Sequence, residues 1–175
     1  MTLLVRPEMP ADAAAVQSVI AAAFPTVAGT VAEVGLNDAL RRDPGWIPDL
    51  CLVAEQDGRV IGQLTSSEGT LTDPAGVRRR LVGIGPVSVH PDRQGQGVGR
   101  AMLTTLIDRA RQAGETALVL LGDPAFYRRF GFRPAAEVGI GAPDPAWGVH
   151  FQALVLAPDP PPTGVFRYAA PFDAL

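Results

Sequence analysis

Residues 87 to 100 read Val-Ser-Val-His-Pro-Asp-Arg-Gln-Gly-Gln-Gly-Val-Gly-Arg, and the spacing of Gln94, Gly97 and Gly99 fits a Gln/Arg-x-x-Gly-x-Gly/Ala pattern. Glycines let a backbone turn tightly and let N–H groups converge with no Cβ atoms between them. Converging N–H groups at the start of a helix, where the dipole is positive, attract anions. Arg93 and Arg100 bracket the loop with full charges. The chemistry open to these residues is to cradle a phosphate or pyrophosphate; the plainer alternative is a Gly-rich turn with no ligand. A P-loop would end in Gly-Lys-Ser/Thr, whereas this loop ends in Gly99-Arg100-Ala101. A dinucleotide fingerprint needs G-x-G-x-x-G near the first strand, and this G-x-G-x-G lies mid-chain.

A second segment, Phe126-Tyr127-Arg128-Arg129-Phe130-Gly131-Phe132, places one tyrosine among aromatic residues. Tyr127 is either a proton donor or a packing ring. No Cys/His cluster has metal-ligand spacing, and no Gly-x-Ser-x-Gly elbow suggests a serine hydrolase.

The elements that must position these residues are legible from periodicity. Thr2 to Arg6 reads as a first strand. Val16, Val19, Ile20, Ala23 and Phe24 then follow helical spacing up to Pro25, and a second helix is expected over Val31 to Arg42. Leu50 to Glu55, with Cys51 as a core residue, and Arg59 to Leu64 form a hairpin across Asp57-Gly58, because Asp-Gly tolerates the positive φ of a tight turn. Leu81 to His90 is an apolar strand with Pro86 near its centre, which argues for a bulge or an unpaired stretch. Gly97 to Ala113 is the clearest helix, with Val98, Met102, Leu106, Ala110 and Ala113 on one face and Gly114 as its cap. Ala117 to Leu121 reads as a buried parallel strand, Phe126 to Phe130 as a short helix ended by Gly131, and Gln152 to Leu156 as a further strand. A weaker strand lies near Val138 to Ile140. The Pro-rich segment Pro158 to Pro162 leads to an edge strand over Val165 to Tyr168. This order indicates a mixed α/β layered domain without repeats.

Composition narrows the classes. A length of 175 residues suits one domain at roughly 150 residues each, and 47% hydrophobic with 19% charged residues excludes a disordered chain. No apolar run reaches the ~20 residues a bilayer demands, and Met1 to Arg6 lacks the basic leader of a signal peptide. Cys51 is the single cysteine, so a reducing, cytoplasmic setting is expected. The net charge of −3 argues against nucleic acid. Yet residues 78 to 133 carry ten Arg against four acids, and the remainder five Arg against fourteen. A cationic middle in an acidic chain suggests a local anionic ligand, or simply a solvated basic face. That all fifteen basic residues are Arg is read as coding bias.

From about Leu3 to Leu156 the chain resembles the GNAT superfamily of acetyl-CoA-dependent N-acetyltransferases. The Gln94–Gly99 loop is one anchor and Tyr127 to Phe132, similar to the family's Tyr-x-x-x-Gly-Phe segment, is the other. Gly85 to Pro91 with Gly122-Asp123-Pro124 resembles a bacterial subgroup of predicted acetyltransferases. The resemblance implies a twisted mixed sheet flanked by helices, with fourth and fifth strands splayed at Pro86. A domain over residues 1–157 is expected, with a Pro-rich C-terminal extension over 158–175 packed on it.

The resemblance further implies that backbone groups of Val87 and Val89, on either side of Ser88, pair with the pantetheine arm of acetyl-CoA. Backbone N–H groups of Gln94, Gly95, Gln96, Gly97, Val98 and Gly99 would hold its pyrophosphate, with Arg93 or Arg100 reaching phosphate oxygens. Tyr127 would protonate the departing thiolate. Two departures stand out: Asp123-Pro124 shortens the connection where an Asn is common, and Leu81 to His90 holds no carboxylate to serve as base. His90 reads as a turn residue, and Glu33, Glu68, Asp43 and His150 are loose candidates. The expected activity is acetyl transfer to a primary amine of a small molecule or peptide, with no metal, nucleic acid or membrane partner and a homodimer left open. The alternative is a non-catalytic acyl-CoA-binding or regulatory domain. Trp46 and Trp147 line an acceptor cleft or simply pack.

Overall fold

The computed structural model describes residues 2–27, 29–157 and 163–175, so the Pro158 to Pro162 segment lies outside the described residues. Strand β1 (Leu3–Pro7) leads into α1 (Ala13–Ala23) and α2 (Ala32–Arg42). Val16, Val19 and Ile20 are buried as the periodicity predicts, and the chain is extended at Phe24, where Pro25 prevents another turn.

Strand β2 (Leu52–Gln56) is joined to β3 (Arg59–Thr72) by Asp57 and Gly58, whose φ angles of 52° and 75° are those of a tight hairpin turn. Leu50 and Cys51 precede β2 instead of opening it: Leu50 ends a 3-10 turn begun at Pro48. Cys51 is buried, and burial pushes its thiol up to about 12. Strand β3 runs eight residues beyond the predicted end, and β4 (Arg78–Val89) begins three residues earlier than expected. Of the added β3 residues only Leu71 is a large apolar one, but tertiary neighbours complete their ladder. Beyond β2's reach, Trp46 bridges Ser67 and β9 (Gly164–Arg167) pairs with Thr70–Thr72.

Helix α3 (Val98–Gln112) follows β4, and β5 (Ala117–Leu121) returns parallel to β4. Gly114, at φ 75°, takes the left-handed position that ends α3, which leaves Ala113 exposed beyond the helix. Next come α4 (Pro124–Tyr127), β6 (Arg133–Pro134), β7 (Ile140–Gly141) and β8 (Phe151–Val155). Val138 belongs to a 3-10 turn rather than the expected strand, because Gly139 at φ 79° breaks the extended run before Ile140.

The mixed sheet has the order β1-β2-β3-β4-β5-β8-β6, with β9 beside β3 and β7. Its two faces are covered separately. Leu52 and Ala54 of β2 join the cluster containing Met102, Leu103, Leu106 and Ala110 of α3. Val53 points the other way, onto Val16 and Ile20 of α1. Each of the fully buried Val, Leu, Ile and Met side chains contributes roughly 1.5–3 kcal/mol, and the alanines less. A further cluster under β9 packs Phe166 against Leu71, Leu81, Val119 and Phe151. Gly69 makes this possible, since Phe166 occupies the space its Cβ would fill.

Candidate active site

Strands β4 and β5 pair only through Val82–Ile84 and Leu118–Leu120. Past Ile84, two β4 residues, Gly85 and Pro86, face Thr65 alone on β3, since Ile84 opposes Ser66 and Val87 opposes Leu64. Pro86 has no N–H to offer a neighbouring strand. The strands separate there and open a cleft of about 420 Å³, lined by Ile84 to Val87 on one side and Leu120 and Leu121 on the other.

Backbone polarity on the open edge follows from strand alternation. The His90 N–H donates to Ile61 of β3, so the N–H groups of Val87 and Val89 point away from β3. The Val89 carbonyl, on that same open side, accepts from Gln94 Nε2 at 3.1 Å. Ser88 faces the opposite way: its buried Oγ accepts from Gln63 Nε2 at 3.0 Å. A buried hydrogen-bond chain continues from Gln63 through Thr65 and Asn37 to Arg41.

Beyond β4 a 3-10 turn, Pro91–Arg93, enters the Gly-rich loop. Gly95 and Gly97 adopt left-handed φ angles of 73° and 84°. The first hydrogen bond of α3 runs from Ala101 N–H to the Gly97 carbonyl, so the N–H groups of Val98, Gly99 and Arg100 project from the helix start. The Gln94 N–H is already donated to the Pro91 carbonyl. Gln96 braces the loop through its side chain, with Nε2 donating to the Asp92 carbonyl at 3.0 Å. The side chains of Gln94 and Gln96 therefore hold the loop's shape, and the outward donors lie further along. A concavity of about 410 Å³ lies over this loop, lined by Arg93, Gly95, Gly97, Arg100, Val89 and Arg129, among others. Arg129, unforeseen in the sequence, stacks 5.2 Å over the Phe126 ring.

Tyr127 lines the cleft, and its neighbour Phe126 lines the concavity over the loop. Asp123 Oδ1 accepts from the Ala125 N–H at 2.8 Å to start α4, and Gly131 at φ 92° ends the turn that follows. The Tyr127 ring sits edge-on to Phe126 and Phe132, with centroids 5.0 and 5.8 Å away, and lines the cleft. Burial alone pushes its hydroxyl up to about 12.

Among the loose base candidates, Glu33 alone reaches the cleft. Glu68 is paired with Arg80 at 2.6 Å, and Asp43 accepts from the Gly45 N–H. His90 Nδ1 accepts from the Asp92 N–H in the turn role its sequence position suggested, and exposed His150 lies near the Gly122 carbonyl. Trp147 lines the cleft, whereas Trp46 is bridged to Ser67 with Arg41 over its ring. The sequence reading missed Tyr168 and Phe172, which complete the cleft wall. Their apolar alternation with Phe166 signals burial but not the surface on which they settle. Burial also pushes the Tyr168 phenol up.

Comparison with known proteins agrees with this geometry. The family model described as Acetyltransferase (GNAT) domain matches residues 5–135. The Escherichia coli K12 protein called uncharacterized N-acetyltransferase YhbS is 32% identical over 157 residues, covering 90% of this chain and 89% of its own. The crystal structure of E. coli YhbS in complex with CoA superposes with a TM-score of 0.86 at 33% identity, covering 98% of this chain and 92% of that one. A GNAT family acetyltransferase from Brucella melitensis in complex with acetyl-CoA gives 0.79 at 36% identity, covering 98% and 99%. The chain belongs to the GNAT family of N-acetyltransferases.

Proposed function

We propose that the chain transfers the acetyl group of acetyl-CoA to a primary amine, with the cleft between β4 and β5 as the place of transfer. The observation that carries this reading is one continuous β4 edge. It runs from the cleft at Ile84–Val87 to the helix-start concavity at Val89, as a thioester and a pyrophosphate on one molecule require. The relatives solved with CoA and acetyl-CoA support the choice of donor. The free N–H groups of Val87 and Val89 suit a pantetheine arm lying as an added strand. The N–H groups of Gly95 to Arg100, with Arg93, Arg100 and Arg129, suit the phosphates.

In the transfer the amine nitrogen bonds to the thioester carbonyl carbon, the carbon–sulfur bond breaks, and the sulfur gains the proton of Tyr127. The amine's own proton leaves toward water or Glu33, and solvent returns a proton to the Tyr127 phenolate, so the protein ends unchanged. The alternative of a non-catalytic binding domain is disfavoured by a phenol and a carboxylate lining one cleft. Residues 163–175 are assigned to this same domain, because β9 pairs with β3 and Phe172 lines the cleft. A cytoplasmic setting suits a buried free thiol at Cys51 and a CoA-dependent reaction.

Calorimetric titration of acetyl-CoA, followed by thiol release with an amine panel, tests the reading. Micromolar binding and amine-dependent release are expected; absence of acetyl-CoA binding overturns it.

A further inference from the structure

We infer that the acceptor is a small primary amine with an apolar, ring-bearing body and no anionic group, held with its ammonium toward Glu33. This inference rests on the acetyltransferase reading and specifies its second substrate.

Three observations carry it. Glu33 is the sole charged side chain lining the cleft, and no Arg lies beside it there among the described residues. Aromatic rings form the far wall: Tyr168 lies 4.5 Å from Phe172 and 6.3 Å from Trp147, centroid to centroid. At about 420 Å³ the cleft has the dimensions of a small-molecule site.

These features select by charge as well as by shape. An ammonium gains from the carboxylate, and an apolar ring-bearing body gains from contact with Trp147 and Tyr168. A carboxylate on the acceptor would enter next to Glu33 with no cation to pair with, and buried unpaired charge is costly. A diamine offers the ring wall no apolar body to cover, so it forgoes that contribution. The C-terminal turn carrying Phe172, far from the Gly-rich loop in sequence, thus contributes to acceptor choice.

The test compares three amines on the full chain: 2-phenylethylamine, phenylalanine and 1,4-diaminobutane. The expected kcat/KM for 2-phenylethylamine exceeds each of the others by tenfold or more. Glu33→Gln should raise its KM by tenfold or more, and Trp147→Leu should also raise it, with acetyl-CoA affinity unchanged in both. Calorimetry of 2-phenylethylamine on the CoA-saturated protein should show the same losses without turnover. Equal or better use of phenylalanine or the diamine overturns this inference and leaves the transferase reading standing. Failure of all three amines to bind or react, with acetyl-CoA still bound, overturns it as well. Loss of acetyl-CoA binding in the unaltered protein instead brings down the transferase reading itself.

Discussion

The Tyr127 ring occupies the space that a side chain at Gly122 would need: a Cβ built there falls 2.9 Å from Cδ2 and closer still to Cε2. Contacts below 3.0 Å to a ring wedged between Phe126 and Phe132 cannot be relieved without moving the ring. The φ of Gly122 is not among the positive ones, so alanine is compatible with the backbone there. Gly122→Ala should therefore act through Tyr127. The expected result is a fall in kcat of ~10-fold or more, a part of the ~10²–10⁴-fold that general acid catalysis contributes, with acetyl-CoA affinity retained because the Gly-rich loop lies elsewhere. Steady-state kinetics beside calorimetry checks it.

The Gly-rich loop makes a separate prediction. Gly97 has φ 84°, and a Cβ there meets nothing within 4 Å, so a side chain would project into open space beside the helix start. Gly97→Val should weaken acetyl-CoA binding tenfold or more, about 1.4 kcal/mol, and should also cost ~1–2 kcal/mol in stability for the left-handed conformation. Calorimetry at a temperature where thermal melting shows the variant folded separates the two effects. Arg129→Ala should weaken binding with no such loss of stability and should flatten its salt dependence.

These features differ in how visible they are in the chain. The loop and α3 are legible because their signals are local: Gly97, the apolar face from Val98 to Ala110 and Gly114 are neighbours in sequence. Tyr127 is legible for the same reason, through Pro124 and Gly131. The aromatic wall is not, because Tyr168 and Phe172 reach the cleft only through the pairing of Arg167 with Thr70, nearly a hundred residues away in the chain. Thr65 to Thr72 hides its strand character behind hydroxyls that only tertiary packing buries. Glu33 sits in the first turn of α2, and its spacing alone does not reveal which surface that turn faces.

Arg6 ties β1 to the sheet and to the approach to α1, bonding Asp12 at 2.7 and 2.9 Å and Glu55 at 2.8 Å. The hydrogen bonds from Arg6 hold the Asp12 carboxyl below its ordinary value. A lowered carboxyl pKa adds stability that is present above the unfolded value of ~3.9 and is lost as pH falls through the folded one. Arg6→Met should cost roughly 1.5–3 kcal/mol near neutral pH, the scale of hydrogen bonds to charged groups. Because it removes the acid-sensitive contribution, the difference from the unaltered protein should shrink below about pH 4. Chemical denaturation across pH measures both.

The central claim is that Tyr127 supplies a proton to the leaving sulfur. At about 12 the phenol stays protonated across the working range, and a thiol near ~8.5 in water would make full transfer uphill. The same dry surroundings that raise the phenol also raise the thiol, and a donated hydrogen bond stabilises charge as it develops on sulfur. The rate should accordingly rise with pH as free amine accumulates, with no decline from Tyr127 below about pH 11. The most direct measurement is single-turnover acetyl transfer by Tyr127→Phe with acetyl-CoA and amine saturating. A fall of ~10²-fold with unchanged acetyl-CoA affinity and unchanged thermal stability is predicted; full single-turnover rate in a folded Tyr127→Phe protein would contradict the account.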